Sequence, residues 1–310
     1  MKLLMFREGS ERRLGVIRDG TSDEVIDVSQ LAKGNGSSAA PADVLTLIES
    51  GSEGLQRLRE LVASVKGSGA TTAVRRLNEL SLLSPLDPPT GNMLAIGRNY
   101  EKHAAESARA WGENIKPPTV FTKAQTSITG PCDDIRIDPA ISDKIDWEVE
   151  LGVVIGKRGV NIKAGDAMRH VFGYTVVNDI SARDIQNGWG GQFFKGKSLD
   201  ASSPVGPWVV TADEIPDIQN LRVSLRVNGE VKQDGNTRDM INSVQQLIVW
   251  LSVGMTLLPG ALIATGTPDG VGFARTPPEY LKPGDLLETE VEGIGVLRNR
   301  MVGAAVAASR

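Results

Sequence analysis

The stretch Ile145–Gly156, IDWEVELGVVIG, carries two carboxylates, Glu148 and Glu150, inside a run that otherwise favours a β-strand. Side chains alternate along a strand, so Ile145, Trp147, Val149 and Leu151 share one face and Asp146, Glu148 and Glu150 the other, same-face neighbours being roughly 6.6 Å apart. The apolar face can build a core. A solvated acidic face would need no further explanation, but the alternation stops at Val153-Val154-Ile155, as expected of a strand covered on both sides. Carboxylates on a covered strand need a compensating cation, because an unpaired buried charge is costly.

A third carboxylate, Asp179, ends the next strand-like segment, Tyr174–Asp179, just before Ser181-Ala182-Arg183-Asp184-Ile185-Gln186. Three carboxylates with room for water and substrate suit Mg²⁺ or Mn²⁺, and Ca²⁺ can take the same oxygens in crystals. Zn²⁺ would want His or Cys, and the chain offers only His103, His170 and Cys132, none paired at zinc-ligand spacing. An EF-hand counted from Asp138 fails because its twelfth position is Val149.

These motifs resemble the fumarylacetoacetate hydrolase family. The match runs through Gly97-Arg98-Asn99-Tyr100, Asp146–Leu151, Asn178–Asp184, Gly196-Lys197-Ser198, Val227–Glu230 and Thr265–Gly272. The resemblance implies that Glu148, Glu150 and Asp179 are the metal ligands, the same three the strand pattern selects. It also implies an α+β fold, a mixed β-roll preceded by a small N-terminal α+β domain, and pairing of two copies as a homodimer.

Strands are expected near Lys2–Phe6, Arg13–Arg18 and Glu24–Val28, and helices near Ala42–Glu49 and Glu53–Lys66, with a Gly/Ser/Ala-rich stretch at Gly34–Ala40. Ser84–Gly91 reads as a proline-rich linker, dividing the chain into residues 1–85 and a catalytic unit of 86–310. Beyond it, Asn228-Gly229 is a hairpin signal and Lys282-Pro283-Gly284-Asp285 precedes a final strand pair. The stretch Leu247–Pro268 has no charged residue and is long enough to suggest a membrane span, but Pro259-Gly260 breaks it into a helix over Leu247–Val253 and a buried strand over Ala261–Thr265.

Charge is nearly balanced, 34 basic against 38 acidic residues, and no basic stripe interleaved with aromatics suggests a nucleic-acid surface. One cysteine excludes an intrachain disulfide, and Leu3-Leu4-Met5-Phe6 meets Arg7 and Glu8 too soon for a signal peptide. A cytoplasmic enzyme with a small-molecule partner, free of membrane and nucleic acid, is the expectation.

His103 and Glu106 stand three apart in an Ala/Glu/Lys-rich segment that favours helix, where a carboxylate can fix the imidazole tautomer and raise its basicity. Taken alone, such a pair is usually surface decoration; the resemblance places it in a lid, where a His–Glu dyad activates water. Arg183 and Gln186 lie where the chain leaves the Asp179 strand, and the resemblance implies contact with substrate. The guanidinium fork suits a carboxylate, although a surface pair with Asp184 is the plainer alternative. Lys197 is a cation beside an acidic site, placed by the resemblance against the metal and a developing enolate, with Lys195 a nearby competitor. Ala201 stands where the founding enzymes have a Thr near the metal. Gly266-Thr267-Pro268-Asp269-Gly270 is a common turn type that also lets backbone amides approach an anion; the resemblance sets Gly266 and Thr267 beside the substrate carboxylate.

Together these parts favour hydrolysis of a C–C bond in a 2,4-dioxo acid, an acylpyruvate, a fumarylpyruvate or a 2,4-dioxo sugar acid, through a metal-stabilised enolate with His103 activating water. Decarboxylation of oxaloacetate, or tautomerisation of a 2-oxo diacid, is the alternative on the same site. A non-catalytic metal- or sugar-acid-binding module would instead show a closed coordination sphere and a silent His103.

Overall fold

The computed structural model of the chain describes residues 1–35, 40–65, 72–100 and 118–303. The strand bearing Glu150 runs Val149–Ile155 inside a twelve-stranded sheet. It pairs antiparallel with Val171–Asn178 on one side and Leu262–Ala264 on the other, setting Glu150 opposite Val177. All seven residues are buried, as the lost alternation predicts. Val149, Leu151 and Val153 enter a core shared with Val223, Leu225, Leu287 and Leu297 of a five-stranded sheet. Val154 packs on the opposite side with Leu3, Met5, Leu47, Ile48 and Leu58 from the N-terminal segment. Each such fully buried side chain contributes about 1.5–3 kcal/mol. Gly152 keeps the strands close: a Cβ there would stand 2.7 Å from Thr175 Cγ2.

Beyond Val171–Asn178 the sheet continues through Ser203–Thr211 to Lys2–Glu8, Glu11–Ile17, Glu24–Asp27 and Val74–Arg76. In the other direction Leu262–Ala264 takes Met93–Gly97 in parallel, and Thr119–Lys123 follows at the edge. The second sheet orders Glu230–Asn236, Arg222–Val227, Leu286–Val291, Gly295–Gly303 and Ile135–Ile137. The fold is α+β, with mixed sheets and few helices. Asn228 and Gly229, at φ 53° and 82°, make the expected two-residue hairpin of the primed kind, whose twist matches the flanking strands.

Local departures from expectation have local causes. The third strand ends at Asp27, not Val28, because the Asp27 carboxylate accepts from Gln30 N and caps a helix over Val28–Gly34 that sequence pattern did not suggest. The late helix spans Val244–Ser252, beginning three residues early through a capping box between Ser243 and Gln246. The uncharged stretch after it turns into the Leu262–Ala264 strand, and no helix among the described residues is long and apolar enough to cross a membrane.

Candidate active site

The acidic run does not remain one strand. Ile145–Asp146 pairs with Ser181–Ala182 in a separate two-stranded sheet, and the chain passes through Trp147 and Glu148 before the long strand begins. This corrects the expected face of three aligned carboxylates. Asp146 turns away to accept from Gly272 N at 2.7 Å and Phe273 N at 3.1 Å. Glu148 and Glu150 instead converge on Asp179, with a carboxylate oxygen from each of the three lying within 4.8 Å of the others and all three residues buried. Backbone contacts fix this meeting. Glu148 N donates to Asn178 Oδ1 at 3.1 Å, Asp179 N donates to Glu148 O at 2.9 Å, and Gly266 N donates to Glu150 Oε2 at 2.7 Å. Gly266 has φ 98°, and a Cβ there would press on Asn99 Cβ at 2.8 Å, so this close approach requires glycine.

Three buried cations answer the carboxylates. Lys197 Nζ bridges Glu148 Oε2 at 2.6 Å and Asp179 Oδ2 at 2.9 Å. Lys123, fully buried at the end of its edge strand, donates to Asp179 Oδ1 at 2.6 Å and Ile180 O at 3.0 Å. Arg183 donates through Nε to Asp146 Oδ2 at 2.8 Å, through Nη2 to Glu148 Oε1 at 2.6 Å and through Nη1 to Gln186 Oε1 at 2.9 Å. Burial alone would push these cations towards neutrality. For Lys197 it is outweighed by Asp179 and Glu148, which raise its pKa, and for Arg183 by Asp146 and Glu148; Lys123, with one carboxylate bonded, is lowered by burial. Arg183 Cζ also stacks 4.3 Å from the Phe273 ring centroid.

Among the described residues four buried carboxylates thus face three fully buried cations, with Arg98 half-buried beside them. The imbalance falls on Glu150, whose carboxyl is raised well above the ordinary range, first by burial and then by Asp179 and Glu148. A small, hard divalent cation fits this set: it supplies the missing positive charge, and the donors are all oxygen. Glu148, Glu150 and Asp179 are the residues that could hold it.

The cluster forms one end of a narrow cleft lined by Ile96, Phe121, Phe193 and Phe273 as apolar walls and by Arg98, Arg183, Gln186, Lys197 and Thr267 as polar ones. The strand pattern selects Glu148, Glu150 and Asp179, the resemblance adds Lys197, Arg183, Gln186, Gly266 and Thr267, and the structure brings all eight together. Lys195 is exposed outside it. Arg183 does not form the expected alternative pair with Asp184, which takes Ser142 Oγ at 2.6 Å. His103 and Glu106 lie outside the described residues. His170 sets Nδ1 2.9 Å from Lys157 O, away from the cleft. Ala201 N donates to Thr126 O at 2.9 Å, and its side chain does not line the cleft.

Sequence reasoning missed three participants. Lys123 had no motif to mark it. Asp146 was placed only on the acidic face of the run and given no task, although it anchors Arg183. Gln233, 1% exposed on the Glu230–Asn236 strand, accepts from Val149 N at 3.0 Å and donates to Thr267 Oγ1 at 2.8 Å and Pro268 O at 2.9 Å. The only advance signal was an uncharged amide among the charged and exposed residues of a hairpin strand.

Residues 92–302 match the family described as fumarylacetoacetate (FAA) hydrolase, C-terminal. The chain is similar to the mitochondrial oxaloacetate tautomerase FAHD2A of Bos taurus, 40% identical over 290 residues that cover 92% of this chain and 86% of that protein. It is also similar to the oxaloacetate tautomerase YisK of Bacillus subtilis strain 168, 41% identical over 263 residues covering 84% and 87%. Among solved structures, a fumarylacetoacetate hydrolase from psychrophilic Exiguobacterium antarcticum matches with TM-score 0.79 at 35% identity, covering 98% of this chain and 99% of that one. Maleylpyruvate hydrolase from Sphingobium sp. SYK-6, in complex with manganese(II) and pyruvate, matches with TM-score 0.75 at 28% identity, covering 98% and 100%.

Proposed function

The chain belongs to the fumarylacetoacetate hydrolase family, and from that premise we propose that it interconverts the enol and keto forms of a 2-oxo diacid of the oxaloacetate class. This takes up the alternative weighed beside C–C hydrolysis, and the names of the relatives matched over most of the chain favour it. The observation that carries it in the geometry is Lys197, an ammonium buried between Glu148 and Asp179 at the cleft, where charge develops on an enolate oxygen.

Conversion of enol to keto moves one proton from the oxygen on C2 to carbon C3; no carbon–carbon bond breaks. Mg²⁺ or Mn²⁺ held by Glu148, Glu150 and Asp179 would supply Lewis-acid stabilisation of the C2 oxygen. Lys197 adds a second positive charge to that oxygen. Arg183 and Gln186 hold the carboxylate, and Gly266 and Thr267 border it. The walls of Ile96, Phe121, Phe193 and Phe273 exclude water, which strengthens each of these interactions. His103, oriented by Glu106, exchanges the proton with C3 in this reading. A cytoplasmic homodimer completes the proposal.

The test follows enol absorbance of oxaloacetate with Mg²⁺ or Mn²⁺, with and without protein, alongside NMR of acylpyruvates and maleylpyruvate. Accelerated ketonisation with the diketo acids inert supports the tautomerase. Two acids released from one diketo acid, with ketonisation at the background rate, would restore the hydrolase, a reading that the manganese–pyruvate complex of the Sphingobium structure favours. No acceleration of either would leave a binding module.

A further inference from the structure

The Gln233 amide has its orientation fixed by its partners. Val149 N–H can only donate, so the atom facing it is the carbonyl oxygen, and Pro268 O can only accept, so the atom facing it is the NH₂ group. The same NH₂ group meets Thr267 Oγ1 at 2.8 Å, and an amide nitrogen cannot accept. Thr267 Oγ1 is therefore the acceptor in that bond. Its own proton is left to point elsewhere, and the hydroxyl donates no hydrogen bond among the described residues. Thr267 is 2% exposed and lines the cleft.

We infer that Gln233 is a positioning residue that sets the Thr267 hydroxyl as a hydrogen-bond donor into the cleft, for the carboxylate of a 2-oxo acid. The inference rests on the proposed reading of the cleft as a 2-oxo acid site. It assigns a task to a side chain that belongs to the second sheet and does not itself line the cleft. One amide spans the strand between Glu148 and Glu150 and the loop after Gly266, so the hydroxyl and the carboxylates are held in a common frame.

Replacing Gln233 by Glu reverses the polarity. The carboxylate still accepts from Val149 N, but it now also accepts from Thr267, whose proton turns away from the cleft. The test is a double-mutant cycle read by calorimetric titration of oxalate, a planar mimic of the enolate and its carboxylate, into the Mn²⁺-loaded protein, with Mn²⁺ affinity measured separately in each variant. Thr267→Val and Gln233→Glu are each expected to weaken oxalate by about 10- to 100-fold, the range for one hydrogen bond to a charged group. The double variant is expected to lose no more than Thr267→Val alone. Gln233→Met, which adds no charge, repeats the cycle and serves if Gln233→Glu does not fold. Multiplying losses in the double variant, unchanged oxalate affinity in the Gln233 variants, or a loss of Mn²⁺ affinity large enough to account for the oxalate loss would each overturn the inference. If the unaltered protein binds Mn²⁺ but not oxalate, the 2-oxo acid site itself fails, and that outcome is told apart by needing no variant.

Discussion

Arg13 and Arg183 each gather several carboxylates, and the difference between the two gatherings separates scaffolding from a reactive site. Arg13 binds Glu8, Glu11 and Asp27. Glu8 and Glu11 reach solvent, and the buried member, Asp27, spends its other oxygen on Ser29 and on the cap of the Val28–Gly34 helix. Every charge there is either solvated or occupied. Around Arg183 the carboxylates Asp146, Glu148, Glu150 and Asp179 are all buried, and among the described residues three fully buried cations answer them. A fold seldom leaves such an imbalance without a ligand to answer it.

The comparison can be broken most decisively at Glu150. Glu150→Ala is expected to abolish Mn²⁺ binding by calorimetry and to lower metal-dependent ketonisation by about 10³-fold, the upper range for losing a positioned charge at a developing oxyanion. Undiminished Mn²⁺ affinity would move the metal elsewhere.

Next in size is Asp146→Ala, which leaves Arg183 and the amides of Gly272 and Phe273 without their shared acceptor. Breaking a buried pair from one side costs about 3–5 kcal/mol, so chemical denaturation should show a large loss of stability, accompanied by lost activity. A variant as stable as the parent would mean that Arg183 is not held as described.

Arg13→Ala is expected to cost about 1–3 kcal/mol, because it leaves one oxygen of the buried Asp27 without its cation while Glu8 and Glu11 stay solvated, with kcat unchanged. A fall in kcat would erase the distinction between the two arginines.

The smallest effect belongs to the exposed pair of Arg222 and Asp234, where two bonds of 2.7 and 2.8 Å to the guanidinium hold the Asp234 carboxyl below its usual range. A carboxyl depressed in the folded state stabilises above its unfolded pKa, about 3.9, and the contribution disappears as pH falls through the lower folded value. Asp234→Asn should therefore lower Tm slightly at pH 7, by less than Arg13→Ala, and the difference should vanish in strong acid. A gap that widened on acidification would reverse the sign.

What the sequence made legible was whatever depends on short spacing. Glu148 and Glu150 two apart, Asp179 at a strand end and the Gly266-Thr267 loop all announce themselves locally, as does the Asn228-Gly229 hairpin. Lys123 reaches Asp179 across 56 residues, Gln233 reaches Val149 across 84 and Asp146 reaches Gly272 across 126. Such partners are chosen by tertiary packing, and nothing in their immediate neighbours records the choice. The break at Trp147 and Glu148 was hidden for a related reason: the run has strand composition throughout, and only its separate pairing with Ser181–Ala182 divides it. The choice of reaction is less legible still, because hydrolysis and tautomerisation use the same carboxylates, lysine and arginine.

Lys123 also bears on how the sheet meets other chains. Among the described residues, Thr119–Lys123 is the last strand on its side of the twelve-stranded sheet. An open strand edge is where a foreign strand can add and aggregation can begin. For that edge to peel back, the Lys123 ammonium would have to leave Asp179 and Ile180 and abandon a buried carboxylate. The ion pair that ties Lys123 to the acidic cluster thus also latches the margin of the sheet, so a change that loosens the candidate site at this lysine should make the protein stickier as well as slower.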